Sequence, residues 1–160
     1  MRILVTGGCG FIGSTVVDAM LAAGNDVTVI DNLSTGRAKF VEHARQQPRF
    51  EMQHGDLLDT DFVNDVVAGH HAVIHLAANA DVRFGWDHPR KDYLQNVVAT
   101  QNVLEAMRNA GVRRLLFSST GSVYGEAQVI PTPEDAPFHI TIATTTIAAV
   151  RATANAPGFH

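Results

Sequence analysis

The sequence predicts a doubly wound α/β fold built on a parallel sheet. Short apolar runs alternate with longer amphipathic ones along the chain, and the connections between them are brief. A strand that feeds a helix and then a neighbouring strand through short connections implies parallel, right-handed crossovers. The 160 residues, 46% apolar and 18% charged, are enough for one domain with a core.

Residues 2–6 (RILVT) read as a buried strand, and residues 11–24 (FIGSTVVDAMLAAG) as a helix closed by Gly24. Residues 26–31 (DVTVID) read as the second strand. A helix is expected over 37–47 and a weaker strand over 49–53 (RFEMQ). Residues 59–69 read as a helix begun by a capping acid or threonine, and 71–78 (HAVIHLAA) as a strand. A long helix is expected over 88–110. Asp87 can cap it, Pro89 suits its first turn, Gly111 ends it, and Leu94, Val97, Val98, Val103, Leu104 and Met107 form its apolar stripe. Residues 112–119 (VRRLLFSS) read as a fifth strand. From Phe138 onward alanine and threonine dominate, with no convincing alternation or stripe. This divides the chain into 1–138 and an atypical tail, 139–160.

Composition excludes several classes. The net charge of −4 and the lack of a basic stripe argue against a nucleic-acid or anionic-membrane partner. Cys9 is the single cysteine, which fits a reducing, cytoplasmic compartment. The apolar start is broken by glycine too early for a signal peptide, and no run approaches membrane-spanning length. The eight histidines show no zinc-site spacing and read as structural or solvated.

In a doubly wound sheet, ligands sit outside the carboxyl ends of the strands. The first such end carries Gly7, Gly10 and Gly13 in VTGGCGFIG, between a strand and a helix. That pattern lets backbone amides and a helix N-terminus face a pyrophosphate. Asp31 ends the second strand, where a carboxylate accepts ribose hydroxyls and repels a 2′-phosphate. NAD is therefore expected over NADP, with Arg37 keeping NADP open. Asp56 and Leu57 follow the third strand, where adenine could be held, and Ala77 and Ala78 give a cofactor room at the fourth.

TGGCGFIG, DNLSTGR, GDLLD, HLAA, NVVATQNVLEAMR and SSTGSVYGE stand in an order and spacing that resemble the extended short-chain dehydrogenase/reductase family, over about residues 1–138. Its NAD-dependent nucleotide-sugar epimerase/dehydratase branch, of the UDP-glucose 4-epimerase type, is the closest in look. The resemblance implies a pyrophosphate turn lined by Gly7, Gly10, Phe11 and Ile12. It places Asp31, Asn32, Ser34 and Thr35 at the adenosine ribose and nearby phosphate, and Asp56 and Leu57 beside adenine. Leu76, Ala77 and Ala78 would meet the middle of the cofactor, Asn96 would steady the active-site strand, and Ser118 would touch the nicotinamide side. Ala99 stands where the family often has glycine. Thr120 takes the catalytic Ser/Thr position. Gly121 and Ser122 replace the Asp-Glu pair of the 4,6-dehydratases, which favours epimerisation of a UDP-hexose. The family commonly dimerises through the 88–110 helix and the helix that carries its Tyr-Lys pair.

Family chemistry needs that tyrosine and lysine, four residues apart, as a tuned general base. Their expected places hold Thr145 and Ala149. The expectation is therefore a cofactor half without the family's substrate domain, disrupted by a frameshift near Phe138 or a truncated gene copy, with little or no activity. Two other readings stay open. One is a non-catalytic NAD-binding module. The other is a reductase using a different base, such as Tyr124.

Overall fold

The computed structural model describes residues 1–79, 88–119, 124 and 129–136. Five parallel strands form one sheet in the order β3-β2-β1-β4-β5. They are β1 (Arg2–Thr6), β2 (Asp26–Asp31), β3 (Phe50–His54), β4 (Ala72–His75) and β5 (Leu115–Phe117). Between β1 and β4 the order reverses, and the crevice of such a sheet opens at that point.

Strand side chains alternate between two apolar layers. On one face Ile3, Val5, Val27, Val29 and Ile74 meet Val17 and Leu21 of α1 (Phe11–Ala22). On the other, Leu4, Ile30 and Val73 meet Val63 and Val67 of α2 (Thr60–Val67) and Val103 and Met107 of the last helix. Asp59 caps α2, its carboxylate accepting the Phe62 N–H at 3.1 Å.

The long expected helix is present, but in parts. It runs as α3 (Pro89–Tyr93), a π turn (Leu94–Val98) and α4 (Ala99–Ala110). Pro89 stands in its first turn, and the Asp87 cap falls outside the described residues. Gly111 ends it at φ +70°, with the Val112 N–H donating to the Met107 carbonyl at 2.9 Å.

Three expectations need correction, the first being the fourth strand, which spans Ala72–His75 and not 71–78 because β1 pairs with only those four residues. Residues 37–47 form no α-helix but two 3₁₀ turns, Ala38–Val41 and Ala44–Gln46. Only Val41 and Ala44 are buried there, and an i,i+3 pair matches a three-residue turn. The fifth strand spans Leu115–Phe117 alone, because β4 offers partners only to those three residues. Val112 packs into the α2–α4 layer instead. No helix among the described residues is long and apolar enough to cross a membrane.

Candidate functional site

The loops that leave the carboxyl ends of β1, β2, β3 and β4 meet in one open cleft. Its floor is the glycine turn. Gly7 has φ +71°, and a Cβ there would lie 2.7 Å from the Ala77 nitrogen, so β1 and the segment after β4 can touch only through glycine. A Cβ on Gly13 would run into the Gly7 carbonyl, so glycine also lets α1 start against the turn.

α1 points its N-terminus at the cleft with no side-chain cap and no acid in its first turn. Its opening N–H groups and positive dipole end are suited to an anion. Phe11 and Ile12 stand 86% and 62% exposed, unusual for large apolar residues, and both line the cleft.

Asp31 is 8% exposed and joins two loops. Its Oδ2 accepts the Cys9 N–H at 2.9 Å, and its Oδ1 accepts the Leu33 N–H at 2.8 Å. The Arg37 N–H closes back on the Cys9 carbonyl at 2.9 Å. Leu33 reaches a left-handed φ of +58° in the same turn. The Cys9 thiol is buried, and burial, helped by the Asp31 charge, pushes it up to about 11, so it stays protonated. On the β3 side, Asp56 Oδ2 accepts from Asn32 Nδ2 at 3.0 Å and its Oδ1 accepts the Leu58 N–H at 2.9 Å.

Gly7, Gly10, Phe11, Ile12, Asp31, Asn32, Ser34, Thr35, Asp56, Leu57, Leu76, Ala77, Ala78 and Ser118 all line this one cleft. Asn96 does not. It is 4% exposed and grips the segment after β4: its Oδ1 accepts the Asn79 N–H at 2.7 Å, and its Nδ2 donates to Asp92 Oδ1 at 2.6 Å. The neighbouring Gln95 lines the cleft in its place and was missed from the sequence, as were Gly36 and Gly55. Thr120, Gly121, Ser122, Thr145 and Ala149 lie outside the described residues. Among the described residues no cluster of three or more His, Cys, Asp or Glu side chains could hold a metal.

The cradle fits a dinucleotide. It offers an anion-seeking helix end, a carboxylate at the second strand and apolar walls from Leu57 and Leu76.

Known proteins resemble this chain in sequence and fold. The chain is 45% identical over 141 residues to a UDP-glucose 4-epimerase of Mycolicibacterium smegmatis, covering 87% of this chain and 45% of that protein. It is 43% identical over 139 residues to one of Streptomyces lividans, covering 85% and 41%. The structure of a UDP-glucose 4-epimerase from Brucella ovis in complex with NAD superposes with a TM-score of 0.88 at 31% identity, over 99% of this chain and 49% of that one. The chain thus spans under half the length of these relatives. Residues 3–146 match the NAD dependent epimerase/dehydratase family, and the chain belongs to that family, whose cofactor is NAD.

Proposed function

We propose that this chain is the NAD-binding part of a UDP-glucose 4-epimerase-type enzyme. The observation that carries the reading is the single cleft that gathers the glycine turn, Asp31 and Asp56 from three successive strand ends. Asp31 receives the adenosine ribose hydroxyls, since each carboxylate oxygen keeps acceptor capacity beyond its one backbone N–H. The start of α1 holds the pyrophosphate, while Phe11 and Ile12 keep water from it. Asp56 and Leu57 flank adenine, with Asn32 holding the Asp56 carboxylate in place. Leu76, Ala77, Ala78 and Ser118 lie along the remaining half of the cofactor. When bound, NAD supplies the hydride acceptor for transient oxidation at C4 of the sugar. Thr120 orients the sugar hydroxyl.

The second reading is a non-catalytic NAD-binding module. It is favoured by the tyrosines and lysines within these 160 residues: Tyr93, Tyr124, Lys39 and Lys91, with no Tyr-x-x-x-Lys among them. A threonine hydroxyl is too weak an acid to take over a phenol's role.

The test is calorimetric titration of the purified protein with NAD, followed by an assay of UDP-galactose conversion to UDP-glucose. Both readings expect saturable NAD binding, and its absence sinks both. Turnover at an ordinary enzymatic rate removes the module reading. Tight, reversible NAD binding by a soluble protein without turnover favours it, because an epimerase part that lacks the family's lysine would hold the nicotinamide half poorly.

A further inference from the structure

We propose that His75 is a positioning residue for the cleft, held in its Nε2–H tautomer inside a one-way chain of hydrogen bonds. The chain runs from the Ala77 amide of the cleft wall to the Asn96 carbonyl of the π turn. The proposal rests on reading the cleft as an NAD site.

The proton positions follow from counting donors. Thr100 Oγ1 lies 2.6 Å from the Asn96 carbonyl oxygen, a separation that requires the hydroxyl proton between them. A hydroxyl has one proton, so toward His75 Nε2, 3.0 Å away, the same oxygen can only accept. Nε2 therefore carries a hydrogen. Burial pushes the His75 pKa down to about 4, so near neutral pH the ring holds one proton and Nδ1 is bare. Thr6 Oγ1, 2.6 Å from Nδ1, must then donate to it. That leaves the Thr6 oxygen free to accept the Ala77 N–H, which it does at 3.4 Å. Every polar atom of the chain has a partner, and no link can be reversed alone.

The two ends of the chain meet the same wall. Ala77 lines the cleft and is the residue a Cβ on Gly7 would strike. Asn96, whose carbonyl takes the other end, clamps the Asn79 backbone N–H through its side chain. Phe117 of β5 stacks on the imidazole with centroids 5.6 Å apart, and Ser118 of the cleft follows it directly. A neutral, oriented imidazole in the middle of the sheet thus sets the amides on which the second half of a dinucleotide would lie. An apolar ring of the same size could fill the space but could not direct these protons.

The first test needs no cofactor. Nitrogen-15 spectra of the histidine rings should show His75 with a bare Nδ1 and a protonated Nε2, unchanged from about pH 7.5 to about pH 5.5. The opposite tautomer, or a titrating His75, overturns the proposal. The second test uses the near-isosteric Thr100→Val, which removes the acceptor of the Nε2–H. Where the variant melts as a folded protein, NAD affinity should drop about fivefold, the worth of one net hydrogen bond. Affinity for ADP, which lacks the second half of the cofactor, should not change. Equal weakening of NAD and ADP, or no weakening of either, would show a purely structural role and overturn the proposal. Failure of the unmodified protein to bind NAD would instead refute the cofactor reading, leaving the ring-nitrogen result to decide the tautomer on its own.

Discussion

The backbone N–H of Cys9 donates to Oδ2 of Asp31 at 2.9 Å, so the acid that ends β2 also holds the glycine turn that follows β1. Under the proposed function, ribose and pyrophosphate recognition would be coupled through this one carboxylate. Asp31→Asn puts an amide NH₂ where one of two backbone N–H groups needs an acceptor. Leaving a buried donor unmet costs about 1–3 kcal/mol. The variant should unfold at lower urea concentration and bind NAD more weakly, while its preference against NADP relaxes because the repelling charge is gone. An unchanged NAD/NADP affinity ratio would separate Asp31 from cofactor choice.

Low pH should weaken the fold through His75. Its pKa falls from the ordinary 6.5 to about 4, through burial. Between these values the unfolded chain binds a proton that the folded chain refuses. Stability is thus full above pH 6.5 and is lost as pH falls toward 4. Between pH 7 and pH 5 the loss is about 2 kcal/mol from this group. His70 is shifted down as well, chiefly by burial, and acts in the same direction. The His75 share is isolated by comparison with His75→Gln. Its urea midpoint should fall less steeply from pH 7 to pH 5 than that of the unmodified protein. Parallel slopes would remove His75 as the cause.

Gly7→Ala should be among the most damaging single-methyl additions in the protein. The new Cβ would sit 2.7 Å from the Ala77 nitrogen at a φ of +71° that alanine disfavours. Backbone on both sides cannot yield as a flexible side chain would. A loss of at least about 1–3 kcal/mol is expected, with NAD binding reduced further because the cleft wall must shift. Denaturation and NAD titration of the same sample check both.

The glycine turn and Asp31 were legible because their causes are local. A strand, three spaced glycines and a terminal acid specify a backbone path with few alternatives, and the structure brings them to one cleft. Residues 37–47 were misread because their polar residues are compatible with a helix, while the deciding fact, that Val41 and Ala44 alone find a core to fill, is tertiary. Gln95 and Asn96 show a subtler limit. Two adjacent amides on one helix look interchangeable in the sequence. The π turn and the segment after β4 decide that Asn96 clamps Asn79 while Gln95 faces the cleft. Thr6, His75 and Thr100 lie far apart in sequence, so their chain had no local signal.

The core separates buried bulk from surface charge. Met107 is fully buried between α2, α4 and the sheet, and Met107→Ala should cost about 2–5 kcal/mol. Glu105, two residues earlier, forms an exposed ion pair with Arg108 at 2.7 Å. Glu105→Ala should change stability by less than about 1 kcal/mol, since solvent screens such pairs. Urea midpoints of the two variants measure the contrast, and similar losses would mean that Met107 is not part of a close-packed layer.

Asn96→Asp tests the clamp without changing its shape, because only the NH₂ donor and the charge differ. Asn96 Nδ2 donates to Asp92 Oδ1 at 2.6 Å, and its Oδ1 accepts the Asn79 N–H. In the variant a carboxylate oxygen replaces that NH₂ and faces the Asp92 carboxylate in a site 4% exposed. The lost donor and the like-charge contact together should cost about 2–4 kcal/mol at pH 7. The new carboxyl would relieve the repulsion by holding a proton, so its pKa in the folded chain should rise above that in the unfolded chain. A raised folded pKa makes the variant's deficit grow with pH and shrink as pH falls, while the His75 loss is common to both proteins and cancels. Urea midpoints of variant and unmodified protein at pH 7 and pH 5 should therefore converge toward the lower pH. A gap that stays constant or widens would place the two carboxyl groups apart and break the clamp as drawn.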